Sequence, residues 1–170
     1  PGSDSLPIFF KILRLLKVSD TELCDCFWTK IVNKIFSLRE ADLKYRIPKY
    51  FYLYMNFNNN LGGTYRHVEF EKIVMEYCIE EMRTGSCFIP KDFAKFASFV
   101  IAYSDQYDSI PNFIIEKLII QQEQLDIYDC KILSRGMEIL HGFRTKNGKT
   151  SKVLDDQVEI LQYVINNCTK

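Results

Sequence analysis

Basic and aromatic side chains alternate in the segment from Lys44 to Phe57, and these two residue types can together hold a nucleic acid strand. Lys44, Arg46 and Lys49 could neutralise phosphates, and six aromatic side chains lie between Tyr45 and Phe57. Aromatic rings stack on bases, and each stacked base contributes roughly 1–3 kcal/mol. One interpretation of this segment is therefore a platform for single-stranded nucleic acid.

The same segment also fits a buried helix. Ile47, Tyr50 and Tyr54 recur at helical spacing, and Phe51 and Met55 fall on a second face. A helix that is apolar on nearly all sides usually lies inside a protein. Burial is the interpretation we favour, and the stacking platform is the alternative.

A second basic group lies in the segment 142–152, which reads GFRTKNGKTSK. Its glycines and polar residues predict a mobile loop. Three further basic residues, Lys11, Arg14 and Lys17, are more typical of the solvated side of an amphipathic helix. The residues that we nominate for nucleic-acid binding are Lys44, Arg46, Lys49, Arg144, Lys146 and Lys149.

The elements that must position these residues are all predicted to be helices. Apolar residues recur every three or four positions, and no sustained strand alternation interrupts them. We predict about eight helices in antiparallel hairpins, with a helix running through Pro48 in the aromatic segment. The predicted helix starts are near Pro7, Ser19, Ser37, Tyr65, Pro90, Pro111, Asp126 and Ser151, and the predicted ends include Asn58, Gly85 and Gly142.

The helix pairs recur about every forty residues, which is typical of an α-solenoid. We therefore expect one all-α, solenoid-like repeat domain over residues 4–170. Residues 1–3 (Pro-Gly-Ser) look like the remnant of a protease-cleaved tag. We accordingly interpret the chain as a fragment of a longer protein.

Composition and motifs argue against several function classes. The formal net charge is zero, which disfavours a globally basic nucleic-acid binder and leaves room for a local patch. No apolar run is long enough for a membrane span. The chain has no catalytic elbow, phosphate loop or zinc-protease motif, so we expect no enzyme activity, catalytic residue, cofactor or metal. The six cysteines have irregular spacing, which favours free thiols and a reducing, intracellular setting.

Four segments resemble the mid-region of FAST-kinase-domain-containing proteins. They are FWTKIVNKI (27–35), YLYMNFN (52–58), IPKDFAKFASFVIAYS (89–104) and the run from Asn112 to Leu140. The resemblance spans Asp25 to Leu140 and rests on apolar spacing. It does not extend to the family's C-terminal RAP domain, so no activity of that domain is implied here.

This resemblance implies a mitochondrial protein that binds organellar transcripts through helical repeats and affects their processing or stability. It transfers no individual contact residue. The expected partner is then single-stranded RNA. The alternative is an α-solenoid scaffold, similar to HEAT or armadillo arrays, that binds protein and no nucleic acid. A concave face of cations and aromatics would favour the first function, and an exposed apolar groove the second.

Overall fold

The structure is a computed structural model, and it describes residues 21–60, 65–84, 90–148 and 151–168. Seven α-helices, and no β-strand, are found in these ranges, so the all-α prediction is confirmed. The predicted first helix and the tag remnant lie outside the described residues. The helices are α1 (Thr21–Ser37), α2 (Glu40–Asn60), α3 (Val68–Arg83), α4 (Pro90–Ala102), α5 (Asn112–Ile120), α6 (Ile127–Asn147) and α7 (Lys152–Cys168).

The chain divides into two compact units between Val74 and Met75, within α3. The first unit contains α1, α2 and the start of α3. The second contains the rest of α3 and α4 to α7. In the described ranges, no helix combines the length and the apolar character that a bilayer crossing requires.

The core of the first unit is built on one aromatic cluster. The Trp28 ring lies 4.9 Å from the Tyr54 ring and 4.6 Å from the Phe70 ring, between centroids. The Tyr54 and Phe70 rings lie 4.7 Å apart. Helix α1 reaches this cluster with a stripe at helical spacing, which consists of the buried residues Cys24, Trp28, Ile31, Val32 and Ile35.

A buried polar network joins α2 to the start of α3. The Tyr54 hydroxyl donates to Glu71 Oε2 at 2.5 Å and accepts the His67 backbone N–H at 2.6 Å. Arg66 Nη2 donates to Glu71 Oε1 at 2.7 Å. A buried carboxylate is costly unless it is both paired and hydrogen-bonded. Glu71 is both, so the network compensates for its burial.

The connection between α1 and α2 differs from the prediction. Ser37 is the last residue of α1, and its hydroxyl donates to the Lys34 carbonyl at 2.8 Å. The first helical bond of α2 runs from the Leu43 N–H to the Arg39 carbonyl at 3.1 Å. Residues 37–40 (SLRE) have the sequence form of a capping box, but Ser37 does not cap α2, because its hydroxyl bonds back into the preceding helix. The prediction that α2 continues through Pro48 is confirmed.

In the second unit, α4 packs mainly against α6, and smaller contacts join α7 to α5 and α6. Helix α4 is buried on nearly all sides from Phe93 onward. Gly136 of α6 lies so close to α4 that an added Cβ would be 2.5 Å from the Ser98 carbonyl oxygen. The Ser98 hydroxyl donates to the Ile132 carbonyl at 2.6 Å. A glycine at position 136 thus permits the close approach of these two helices.

In the second unit, side chains form hydrogen bonds with backbone groups that lie outside the helices or at a helix start. The buried Gln157 accepts the Ile110 N–H at 2.8 Å and donates to the Ile110 carbonyl at 2.8 Å. This amide replaces the backbone partner that a non-helical buried residue lacks. Ser151 accepts the Leu154 N–H at 3.3 Å and so caps α7, as predicted.

Helix α6 begins as predicted and ends later than predicted. Asp126 and Asp129 form a reciprocal capping box at its start. The predicted end at Gly142 is wrong, because the helix continues to Asn147 and ends at Gly148, whose φ is 65°. A glycine within a helix costs only about 1 kcal/mol. The burial of Phe143 in the core of the unit offsets that cost.

Candidate nucleic-acid interface

Helix α2 exposes two tyrosines and a lysine in one line. Tyr45 is 76% exposed and Tyr52 is 63% exposed, and Lys49 between them is also exposed. Their spacing of four and then three residues places them on one side of an α-helix. We call these three residues the tyrosine face. Its two rings are separated along the helix axis by roughly 10 Å, at about 1.5 Å per residue.

Two further cations flank the tyrosine face. An α-helix turns about 100° per residue, so Lys44 and Arg46 project to opposite sides of the line through Tyr45. Lys44 is exposed and Arg46 is half-buried. Lys44 and Lys49 pair with no carboxylate among the described residues. Of the three cations nominated in this segment, Lys49 thus belongs to the tyrosine face, and Lys44 and Arg46 flank it.

The half-buried Arg46 also interacts with Tyr50, one turn later on α2. Burial raises the pKa of the Tyr50 hydroxyl, and the positive charge of the neighbouring Arg46 partly offsets that rise. On the same side, Asp42 lies one turn before Tyr45 and pairs with Arg39 at 3.4 Å. The carboxylate nearest the tyrosine face in sequence thus has a cation of its own, which reduces its repulsion of a phosphate.

The opposite side of α2 is buried, as predicted. Its buried residues are Ile47, Tyr50, Phe51, Tyr54 and Met55. The expectation of burial is right for this side and wrong for Tyr45 and Tyr52. A signal for the difference is present in the sequence, since Lys49 lies between the two tyrosines at helical spacing. A lysine is almost never fully buried.

The second nominated group does not form the predicted loop. Arg144 and Lys146 are part of α6, and Lys149 lies outside the described residues. The Arg144 guanidinium is half-buried and forms an ion pair with Asp155 of α7. Lys146 is exposed. This group belongs to the second unit and offers one exposed cation among the described residues, so it is the weaker candidate.

The His67 side chain is hydrogen-bonded at both ring nitrogens. His67 Nδ1 accepts the Phe70 N–H at 3.1 Å, so Nε2 carries the proton and donates to Thr29 Oγ1 at 3.1 Å. Both ring nitrogens are therefore engaged in holding the start of α3. Within the described ranges, no group of three or more His, Cys, Asp or Glu residues is arranged to hold a metal ion.

Comparisons of the chain with protein-family models, with curated proteins and with solved structures returned no match. The resemblance to FAST-kinase-domain-containing proteins therefore stays a prediction.

The two tyrosines and the lysine of the tyrosine face favour a flexible, negatively charged ligand that carries aromatic rings. Exposed phenol rings offer stacking surfaces to any base, and the lysine between them can meet the phosphate that joins two bases. None of these contacts reads a base edge, so the tyrosine face would bind strands with little sequence preference. A duplex keeps its bases stacked on each other and would gain less from the two rings.

Proposed function

We propose that this chain is a non-enzymatic α-helical module that binds single-stranded RNA through the tyrosine face of α2. The observation that carries the proposal is the alignment of exposed Tyr45 and Tyr52 with exposed Lys49. Lys44 and Arg46 add charge on either flank. RNA is proposed over DNA because the family resemblance implies transcripts.

The same resemblance supports a wider proposal for the full-length protein. There the module would act in mitochondria, in the processing or stability of transcripts, as one block of a helical solenoid. The packing of α4 on α6 and of α5 on α7 favours a repeat, because it joins helices two apart in the chain. Imaging the tagged full-length protein against a mitochondrial marker tests the location.

A titration of labelled single-stranded RNA by fluorescence anisotropy, over a salt series, tests the binding proposal. Each phosphate neutralised on a single strand contributes about 0.7 to the slope of log affinity against log salt. Contacts from the two lysines and Arg46 would give a slope near −2. The net charge of zero limits the expected affinity to about micromolar.

Two variants separate stacking from charge. Tyr45→Ala with Tyr52→Ala should weaken binding by roughly ten-fold or more and leave the salt slope unchanged, because stacking is uncharged. Lys44→Glu with Lys49→Glu should instead flatten the salt slope. Both changes lie on exposed positions, so circular dichroism should match the wild type.

A matched control is available in the second unit. Tyr128 and Tyr163 are each 66% exposed, so Tyr128→Ala with Tyr163→Ala removes the same number of exposed rings elsewhere. Lys146→Glu tests the second nominated group. The proposal fails if wild-type protein does not bind at low salt, or if the control tyrosines matter as much as those of the tyrosine face.

A protein-binding scaffold is the second candidate function, and one observation favours it. Exposed apolar side chains cluster in sequence around the connection from α5 to α6, at Ile119, Ile120, Ile127 and Tyr128. Exposed apolar clusters are typical of protein interfaces. If RNA does not bind, this function takes precedence. Ile120→Ser with Ile127→Ser should then lower the binding of a dye that fluoresces on apolar surfaces.

A further inference from the structure

The two rings of the tyrosine face are separated by almost two full turns of α2. Tyr45 and Tyr52 differ by a rise of roughly 10 Å along the helix axis, at about 1.5 Å per residue. At about 100° per residue, the second ring falls only about 20° short of the direction of the first. Both side chains are exposed. The tyrosine face therefore offers two separate stacking positions along one line.

Helix geometry keeps this separation. Side chains of an α-helix lean toward its N-terminus. Tyr45 and Tyr52 share this direction, so the distance between their rings stays close to the rise between their Cα atoms. Pro48 lies inside the helix between them and is half-buried. A long helix curves with its solvent side convex, so a bend here lengthens the exposed side.

The separation of the rings sets how many nucleotides can span them. Neighbouring bases of a stacked strand are about 3.4 Å apart, and a strand with splayed bases reaches roughly 7 Å per nucleotide. One nucleotide step is therefore shorter than the distance between the rings. Two steps cover roughly 7–14 Å, which includes that distance. A fully stacked strand would need three steps, but its bases already cover each other and leave little surface for the rings.

We propose that the tyrosine face binds three successive nucleotides of single-stranded RNA, with the two outer bases stacked on Tyr45 and Tyr52. This inference rests on the proposed RNA binding, and it adds the length and the register of the ligand. Lys49 is exposed between the two rings. Its ammonium group is therefore placed to meet one of the two phosphates that join the three nucleotides.

The middle base contributes less than the two outer bases. The two aromatic residues of α2 between Tyr45 and Tyr52 are Tyr50 and Phe51, and both are buried. The middle base can stack on neither of them. Its nucleotide acts mainly as the spacer that brings the outer bases to the two exposed rings.

A ligand that reaches both rings binds the second one as an intramolecular contact, whereas a linker too short to span two sites gains nothing from the second. A dinucleotide can use either ring, but only one at a time. A trinucleotide can use both. Because one additional stacked base strengthens binding by about ten-fold, we expect a step in affinity between two and three nucleotides.

A competition experiment with the full chain measures this step. Unlabelled oligouridylates of one to six nucleotides compete with a longer, fluorescently labelled single-stranded RNA at low salt, and anisotropy reports the displacement. Affinity should rise by roughly ten-fold from two to three nucleotides, and no later addition should give as large a gain. The step should persist in the chain with Tyr128→Ala and Tyr163→Ala, whose exposed rings lie in the second unit.

Single variants test whether both rings act on one ligand. Tyr45→Ala or Tyr52→Ala alone should weaken the trinucleotide by about ten-fold. The same change should weaken the dinucleotide by only about two-fold, because the remaining ring still binds it. In either variant, the step between two and three nucleotides should disappear.

Abasic trinucleotides test the register. Loss of the middle base should weaken binding by less than about three-fold, and loss of an outer base by about ten-fold. The inference is overturned if RNA binds without a step between two and three nucleotides, or if the middle base matters as much as the outer bases; RNA binding itself then stands. If RNA of no length binds, the proposed function and this inference fail together.

Discussion

Replacing Tyr54 by phenylalanine would remove one buried hydroxyl and leave the aromatic packing of the first unit in place. That hydroxyl donates to Glu71 at 2.5 Å and accepts the His67 N–H at 2.6 Å. The phenylalanine ring would keep its contacts with Trp28 and Phe70, at centroid distances of 4.9 and 4.7 Å. The variant therefore isolates the polar network that joins α2 to α3.

The cost can be worked out from the two lost hydrogen bonds. A hydrogen bond to a charged group contributes roughly 1.5–3 kcal/mol, and an unsatisfied buried backbone N–H costs about 1–3 kcal/mol. Arg66 still pairs with Glu71 at 2.7 Å, so the carboxylate keeps a partner. Since single contributions overlap, we expect a loss of about 3 kcal/mol in the free energy of unfolding.

Tryptophan fluorescence gives a reading that is specific to the first unit. Trp28 is the only tryptophan in the chain, and its ring contacts Tyr54 directly. In a urea titration, a slope of about 2 kcal/mol per molar is typical of a small protein. A loss of about 3 kcal/mol should then lower the midpoint by roughly 1.5 M at unchanged slope.

Tyr52→Phe is the matched control, because it deletes the hydroxyl of an exposed tyrosine on the same helix. Its stability should stay within about 0.5 kcal/mol of the wild type. If Tyr54→Phe also stays within about 1 kcal/mol, the interpretation of Glu71 as a carboxylate held by this hydroxyl is refuted. A changed slope would instead point to a different unfolded or native state.

Three further outcomes can be checked by urea titration. Phe51→Ala, which opens a cavity at a buried ring, should cost about 3–5 kcal/mol, whereas Tyr52→Ala should stay within about 0.5 kcal/mol. Gly136→Ala should destabilise, because its Cβ would meet the α4 backbone at 2.5 Å, whereas Gly142→Ala has open space and should stabilise by up to about 1 kcal/mol. The pKa of the Cys130 thiol is about 12 in the folded state and lies above its ordinary value of 9.0. The stability that the buried neutral thiol contributes is therefore complete below about pH 9 and is lost as the pH rises toward 12, by about 1.4 kcal/mol per pH unit. Cys130→Ala should flatten this decline of the free energy of unfolding at alkaline pH.

The parts of the fold that depend on local chemistry could be predicted from the sequence. Asp126 and Ser151 cap their helices through side chains that reach only three residues along the chain. Pro90 starts α4 as its fixed φ favours. The apolar stripe of α1 is likewise a property of a single helix. These signals need no knowledge of what the helix packs against.

The sequence predictions are wrong where contacts with other parts of the structure determine the local conformation. Gly142 reads locally as a helix end, and α6 continues past it because Phe143 finds a buried site in the second unit. Ser37 reads locally as a cap, and its hydroxyl bonds backward to Lys34 instead. The requirement for a glycine at position 136 depends on the neighbouring α4 backbone. A residue pattern along one helix does not contain these contacts.

The two interpretations of α2 turn out to be compatible, since they concern different sides of one helix. Isolated exposed aromatic residues are common on protein surfaces, so the exposure of Tyr45 and Tyr52 does not by itself indicate a ligand. Their alignment with Lys49 is the stronger argument, because stacking and phosphate neutralisation then act on the same strand. Phe51 and Tyr52 are neighbours in sequence and lie on opposite sides of this division. Stability should therefore respond to Phe51 and RNA affinity to Tyr52, and a variant at either position that altered both would contradict the assignment.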